Sequence, residues 1–157
     1  MKKTITAFCF VILLLALTAC GSDTKESSAN VQGTLSEIFL RIYENADVES
    51  PMTVEIPVDD TNKQSMLGSN DVDFIEGLAS EPMIMTIPHS MVLIRVDPNT
   101  DIENTKKLIK DNVDPRKWIC VGVDPDKVIV DNIGDLVFLV MSENAAAYHD
   151  SFLKLAE

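Results

Sequence analysis

Between Ile5 and Leu17 the chain carries an uncharged apolar run, Ile-Thr-Ala-Phe-Cys-Phe-Val-Ile-Leu-Leu-Leu-Ala-Leu, preceded by Lys2 and Lys3. A helix needs roughly 20 apolar residues to cross a bilayer, and this run is shorter. A short positive stretch followed by a short apolar one reads as a signal peptide that is removed after export. Removal of residues 1–19 constrains what the remainder can fold into. It takes away a block of hydrophobic residues, one cysteine and two lysines, and none of the acidic residues.

The run ends in Leu17-Thr18-Ala19-Cys20. This resembles the lipobox of bacterial lipoproteins, in which small residues precede an invariant cysteine. The resemblance implies cleavage between Ala19 and Cys20. It also implies lipidation of Cys20, whose sulfur accepts a diacylglyceryl group. One acyl chain anchors weakly, whereas two or three hold stably. The expected location is the cell membrane of a Gram-positive organism, with the protein lipid-anchored and facing outward. Expected boundaries are a signal peptide over 1–19, a lipidated cysteine with a flexible tether over 20–33, and a single folded domain over 34–157. Residues 21–33 are too poor in large apolar groups to fold. As a random chain they average roughly 20 Å end to end.

Cysteine use then decides how the fold is held. Cys9 is discarded and Cys20 carries lipid, which leaves Cys120 as the one thiol and excludes an internal disulfide. Stability must come from a packed core. Cys120 lies in Trp118-Ile-Cys-Val121, an apolar context that predicts a buried, inert thiol. Charge excludes other classes. The net charge of −12 becomes −14 once Lys2 and Lys3 are lost, on a mature chain of 138 residues. So acidic a chain is unsuited to nucleic acid, whose phosphates require Lys and Arg.

Along the mature chain, Thr34-Leu-Ser-Glu37 fits a capping box. It opens a helix over about 34–46 with Leu35, Ile38, Phe39 and Ile42 on one stripe. Thr53-Val-Glu-Ile56 alternates like a short edge strand, and Asn70-Asp-Val-Asp73 predicts a short helix carrying Phe74, Ile75 and Leu78. Met83–Ile87 and Met91–Val96, with Pro88-His-Ser90 as the turn, predict a hairpin over about 83–96. Thr100-Asp-Ile-Glu103 predicts a second capping box and a helix over about 101–112. A second hairpin spans about 127–141, turning at Asn132, Gly134 and Asp135. Its Leu136–Met141 strand has no polar alternation, as expected of a central strand covered on both faces. Ser142 is placed to cap a last helix over about 143–155. The expected fold class is α+β, an antiparallel sheet of two hairpins packed with helices.

The order and wording of these elements resemble a family of small Gram-positive lipoproteins defined by domain of unknown function 4358. The residues concerned are Leu35-Ser-Glu-Ile-Phe39, Glu81-Pro-Met-Ile-Met85, Trp118 and Gly134-Asp-Leu-Val-Phe-Leu-Val140. The likeness covers about residues 34–156. It implies a lipid-anchored domain and brings neither an activity nor site residues.

No catalytic constellation stands out. His89 and His149 read as surface residues, and no Gly-x-Ser-x-Gly elbow presents a serine. No phosphate loop or other cofactor motif occurs. Asp97, Asn99 and Asp101 alternate like the start of an EF-hand loop, but Ile102 and Leu108 stand where glycine and a bidentate glutamate belong. A turn followed by a helix cap explains them better than a metal site does. Met83, Met85 and Met91 cluster near one hairpin, and core filling is the simpler role. The expected function is a binding module for a protein or small ligand. The rival is a small extracytoplasmic enzyme using dispersed carboxylates. Cys20→Ser is expected to leave the precursor uncleaved and without label from radioactive fatty acid; a variant that still takes up label would overturn the lipobox assignment.

Overall fold

The structure, a computed structural model, describes residues 30–157. The expected signal segment, Ala19, Cys20 and the first part of the expected tether lie outside the described residues. The sheet grows from the strongest apolar runs. Leu136–Ser142 (β5) is buried at every position, and His89–Arg95 (β3) at all but Arg95. They pair antiparallel, and Thr53–Pro57 (β1), Glu76–Pro82 (β2) and Val128–Ile133 (β4) complete the order β1-β2-β3-β5-β4. The fold is therefore α+β with a five-stranded antiparallel sheet.

Both faces are covered. Helices Leu35–Asn45 (α1) and Ala145–Leu153 (α4) lie on one face, where Ile38, Phe39 and Ile42 meet Met91, Leu93, Phe138 and Phe152. The Phe138 and Phe152 rings stack at 4.7 Å between centroids. Helix Ile102–Asn112 (α3) and the short helix Lys63–Leu67 (α2) lie on the other, burying Leu67, Val92, Ile94, Ile109 and Trp118. A strand with apolar side chains on both faces needs this arrangement, since either bare face would expose a full row of them.

Local signals explain most ends. Thr34 and Glu37 form the capping box of α1: the Glu37 N–H donates to Thr34 Oγ1 and the Thr34 N–H to Glu37 Oε2. Positive φ at Gly134 alone, with Ile133 opposite Leu136, makes the β4–β5 connection a two-residue turn that favours glycine first.

Several expectations need correction. The first hairpin runs over 76–95, with Met83–Pro88 as its loop rather than a strand. Met83 and Met85 therefore point into solvent and not into a core. No helix follows Asn70. Phe74 and Leu78 instead serve the start of β2, where Gly77 fits closely against Val58 and Ile94. Asp101, not Thr100, caps α3, because its carboxylate reaches the Asn104 N–H at 3.0 Å. Ser142 belongs to β5 and does not cap α4, which starts three residues later.

Gly68 ties the smaller layer together. It ends α2 at φ +81°, and a Cβ there would sit 2.3 Å from the Asn112 and Val113 backbone. Gly68→Ala combines a left-handed alanine with a backbone clash. It is expected to lower the unfolding free energy by about 3 kcal/mol in urea titration. A loss below about 1 kcal/mol would show that the end of α3 gives way freely.

Candidate functional site

Burial of β3 and β5 on both faces concentrates polar chemistry where the strands end. Ser80, His89 and Ser142 project toward α1 and α4, and Glu81 and Ser90 toward the opposite layer. His89 is 1% exposed. Its Nε2 lies 2.8 Å from the Tyr43 hydroxyl and its Nδ1 3.2 Å from Ser142 Oγ. The Tyr43 hydroxyl also bonds Ser80 Oγ at 2.8 Å. Tyr148 stands edge-on to the His89 ring at 5.3 Å and bonds Ser50 at 3.0 Å. A 370 Å³ hollow lies beside this network, lined by Glu49, Ser50, His89, Glu143 and Tyr148 among others.

A serine beside a histidine invites comparison with a hydrolase, and the electrostatics argue against it. Burial first, and the Lys117 charge second, push the His89 imidazole down to about 4. Its second nitrogen faces a tyrosine hydroxyl rather than a carboxylate. Burial also pushes Tyr43 up to about 12, so that hydroxyl supplies no anion at neutral pH. An imidazolium formed by taking the Ser142 proton would have no carboxylate bonded to its other nitrogen, the role the third member of a triad plays. The network satisfies buried groups and locks α1 to the sheet.

On the opposite face, Glu81 is 7% exposed and its Oε1 accepts from Lys117 Nζ at 2.7 Å and Ser90 Oγ at 2.5 Å. Lys117 also reaches Ser90 Oγ at 3.0 Å and lies 5.7 Å from the centre of the Trp118 ring. This pair forms the polar corner of a cleft of about 570 Å³, the volume of an ordinary ligand site. Val54 and Ile56 of β1, Met66 of α2, and Pro82, Met83 and Met85 form most of its walls. Main-chain bonds hold the rim: the Met83 N–H donates to Met52 O, and the Ile119 N–H to Met85 O. Met83 and Met85 line the cleft while exposed, and Met52, Ile84 and Ile119, next to them in sequence or joined to them by these main-chain bonds, are exposed as well.

The residues singled out from sequence fall elsewhere. The Asp97 carboxylate accepts from the Asn99 main chain and side chain, and Asp101 caps α3. Among the described residues no group of three or more His, Cys, Asp or Glu side chains has metal-site geometry. Two expectations are overturned. Cys120 is exposed at φ +61°, because Trp118 turns inward alone while Ile119 and Cys120 turn out. His89 is buried because β3 begins at that residue, not after it. His149 is half-buried and bonds Asp131 at 2.7 Å, tying α4 to β4. Glu81, Lys117 and Tyr43 escaped the sequence reading. The one local hint was Glu81, a charge directly before Pro82 and the apolar Met83-Ile-Met85.

Comparison of the chain with protein-family models, with curated proteins and with solved structures finds no match.

The His89 environment has a measurable consequence. Its folded value lies below the unfolded value near 6.5, so the unfolded chain binds the proton first. The stability it contributes is complete above pH 6.5 and falls as pH drops toward 4, by about 3 kcal/mol in all. Denaturant titrations between pH 7 and about 5.5, above the range in which most carboxylates titrate, should show the upper part of that slope. His89→Gln is expected to flatten it, and an unchanged slope in the variant would assign it to other groups.

Proposed function

We propose that this protein is a lipid-anchored extracytoplasmic binding module that holds an apolar part of its ligand in the methionine-lined cleft. The observation that carries this reading is the cleft itself: about 570 Å³, walled by Val54, Ile56, Met66, Met83 and Met85, with one closed ion pair in a corner. Methionine side chains adapt to irregular partners, and contiguous exposed apolar surface marks interaction sites. Glu81 is the one carboxylate among the residues lining the cleft, and Lys117 and Ser90 hold it. At this cleft, that favours binding over the rival reading, a small extracytoplasmic enzyme using dispersed carboxylates.

The proposed anchor and the cleft suit one another in position. Arg95 donates to the main-chain oxygens of Val31 and Gly33 and to Glu76, so the described chain enters at the Arg95 end of β3. The Met83–Pro88 loop sits at the other end of β2 and β3. Seven strand residues separate the two ends, roughly 20 Å. A chain tethered through Cys20 would hold the cleft on the side away from the bilayer. The net charge of −14 on the mature chain adds repulsion from anionic lipid.

A fluorescent apolar probe, anilinonaphthalene sulfonate, tests the cleft on the chain from residue 21 onward. It is expected to bind at one site. The double variant Met83→Asp, Met85→Asp should weaken binding at least tenfold, while Leu40→Asp, on exposed apolar surface elsewhere, should not. Equal binding by all three proteins would place the probe outside the cleft and sink the reading.

A further inference from the structure

One edge of the sheet is open beside the cleft, and its register can be worked out. Beyond the two ends of β1, the Met83 N–H donates to Met52 O and the Val58 N–H to Gly77 O. Antiparallel ladders alternate bonded and non-bonded pairs. Met52, Val54, Ile56 and Val58 therefore bond inward to β2, and Thr53, Glu55 and Pro57 turn their main-chain groups outward. Pro57 fits this phase, since its missing N–H falls on the open side. Its carbonyl is taken by the Asn62 side chain at 2.9 Å. Among the described residues the free ladder is thus short: the N–H and C=O of Thr53 and Glu55.

The two faces of this edge differ. Val54, 47% exposed, and Ile56 face the cleft. Glu55 faces the α1 side, where the Ser36 hydroxyl donates to its carboxylate and no cation pairs with it among the described residues. A second copy is a poor occupant. Antiparallel self-pairing through Thr53 and Glu55 centres on Val54, sets each Glu55 opposite a Thr53 and leaves both carboxylates without a cation. The net charge of −12 opposes self-association further.

We infer that β1 receives an extended peptide segment of alternating apolar and basic residues as a sixth strand. Its main chain pairs with Thr53 and Glu55. Its apolar side chains, flanking Val54 and Ile56, enter the cleft, and its lysine or arginine meets Glu55 on the other face. Main-chain pairing supplies affinity in such strand addition, and the alternate side chains supply selection. The inference rests on the cleft reading and adds the class of ligand, its orientation and its charge.

The test uses the full chain in phosphatidylcholine nanodiscs, with empty nanodiscs as the baseline. A fluorescently labelled heptapeptide alternating valine and lysine is titrated by anisotropy against its valine–glutamate counterpart. The lysine peptide is expected to bind at least tenfold more tightly, and Glu55→Lys should reverse that order. N-methylation of the amides on one edge of the peptide should abolish binding, and on the other edge should leave it intact. Equal effects of both methylation patterns, or indifference to peptide charge, would overturn strand addition. Peptide-dependent dimerisation, or dimerisation of the chain alone through β1, seen by sedimentation, would assign the edge to a second copy. If the fluorescent probe occupies the cleft and neither peptide binds, the strand inference fails and the cleft reading stands; failure of the probe as well removes both.

Discussion

The pairing of β3 with β5, each buried on both faces, is the constraint from which the rest of the molecule follows. Two adjacent strands that present apolar side chains upward and downward cannot leave either face to water. The chain must supply one helical layer above and another below, and it does so with α1 and α4 on one side and α3 with α2 on the other. The same burial dictates what happens at the strand ends. Ser80, Glu81, His89, Ser90 and Ser142 are almost wholly removed from solvent, and each bonds another side chain. The polar side chains gather there because the sheet stays covered to its last residues. The neutrality of His89 and the fixed ion pair of Glu81 are consequences of that enclosure.

The sequence made some of this legible, for identifiable reasons. The α1 capping box and its apolar stripe are local signals, and local signals survive into the fold. The unbroken Leu136–Met141 run announced a strand covered on both sides. The first hairpin was misplaced because Met83-Ile-Met-Thr-Ile87 is as apolar as a strand, while the true β2, Glu76-Gly-Leu-Ala-Ser-Glu-Pro82, is not. Nothing in seven residues containing a glycine, two glutamates and a proline advertises a strand inside a sheet. Its neighbours β1 and β3 confer that role, and a long-range pairing of this kind leaves no local trace. The error carried over to His89, taken for a turn residue because the turn was set five residues late, and to the exposed methionines, taken for core.

The candidate site was less legible still. The Glu81–Lys117 pair joins residues 36 apart in sequence, and Tyr43 meets His89 across 46. Cys120 shows the limit of composition in a different way. Apolar neighbours suggest burial, but between α3 and β4 the chain follows no period, and each side chain goes where the loop geometry sends it.

The Arg95 clamp has a mechanical meaning. A pull applied at residue 30 reaches the sheet through the guanidinium bonds to Val31 and Gly33, at one end of β3. A grip on the Met83–Pro88 end would oppose it along the strand axis. The hydrogen bonds of β3 to β2 and β5 are then loaded in shear and must yield together, where a sideways pull would open them one at a time. Resistance to force is governed by the unfolding rate rather than by equilibrium stability. A protein of only modest equilibrium stability, stretched between its two ends, can in this geometry bear more tension than its folding free energy suggests.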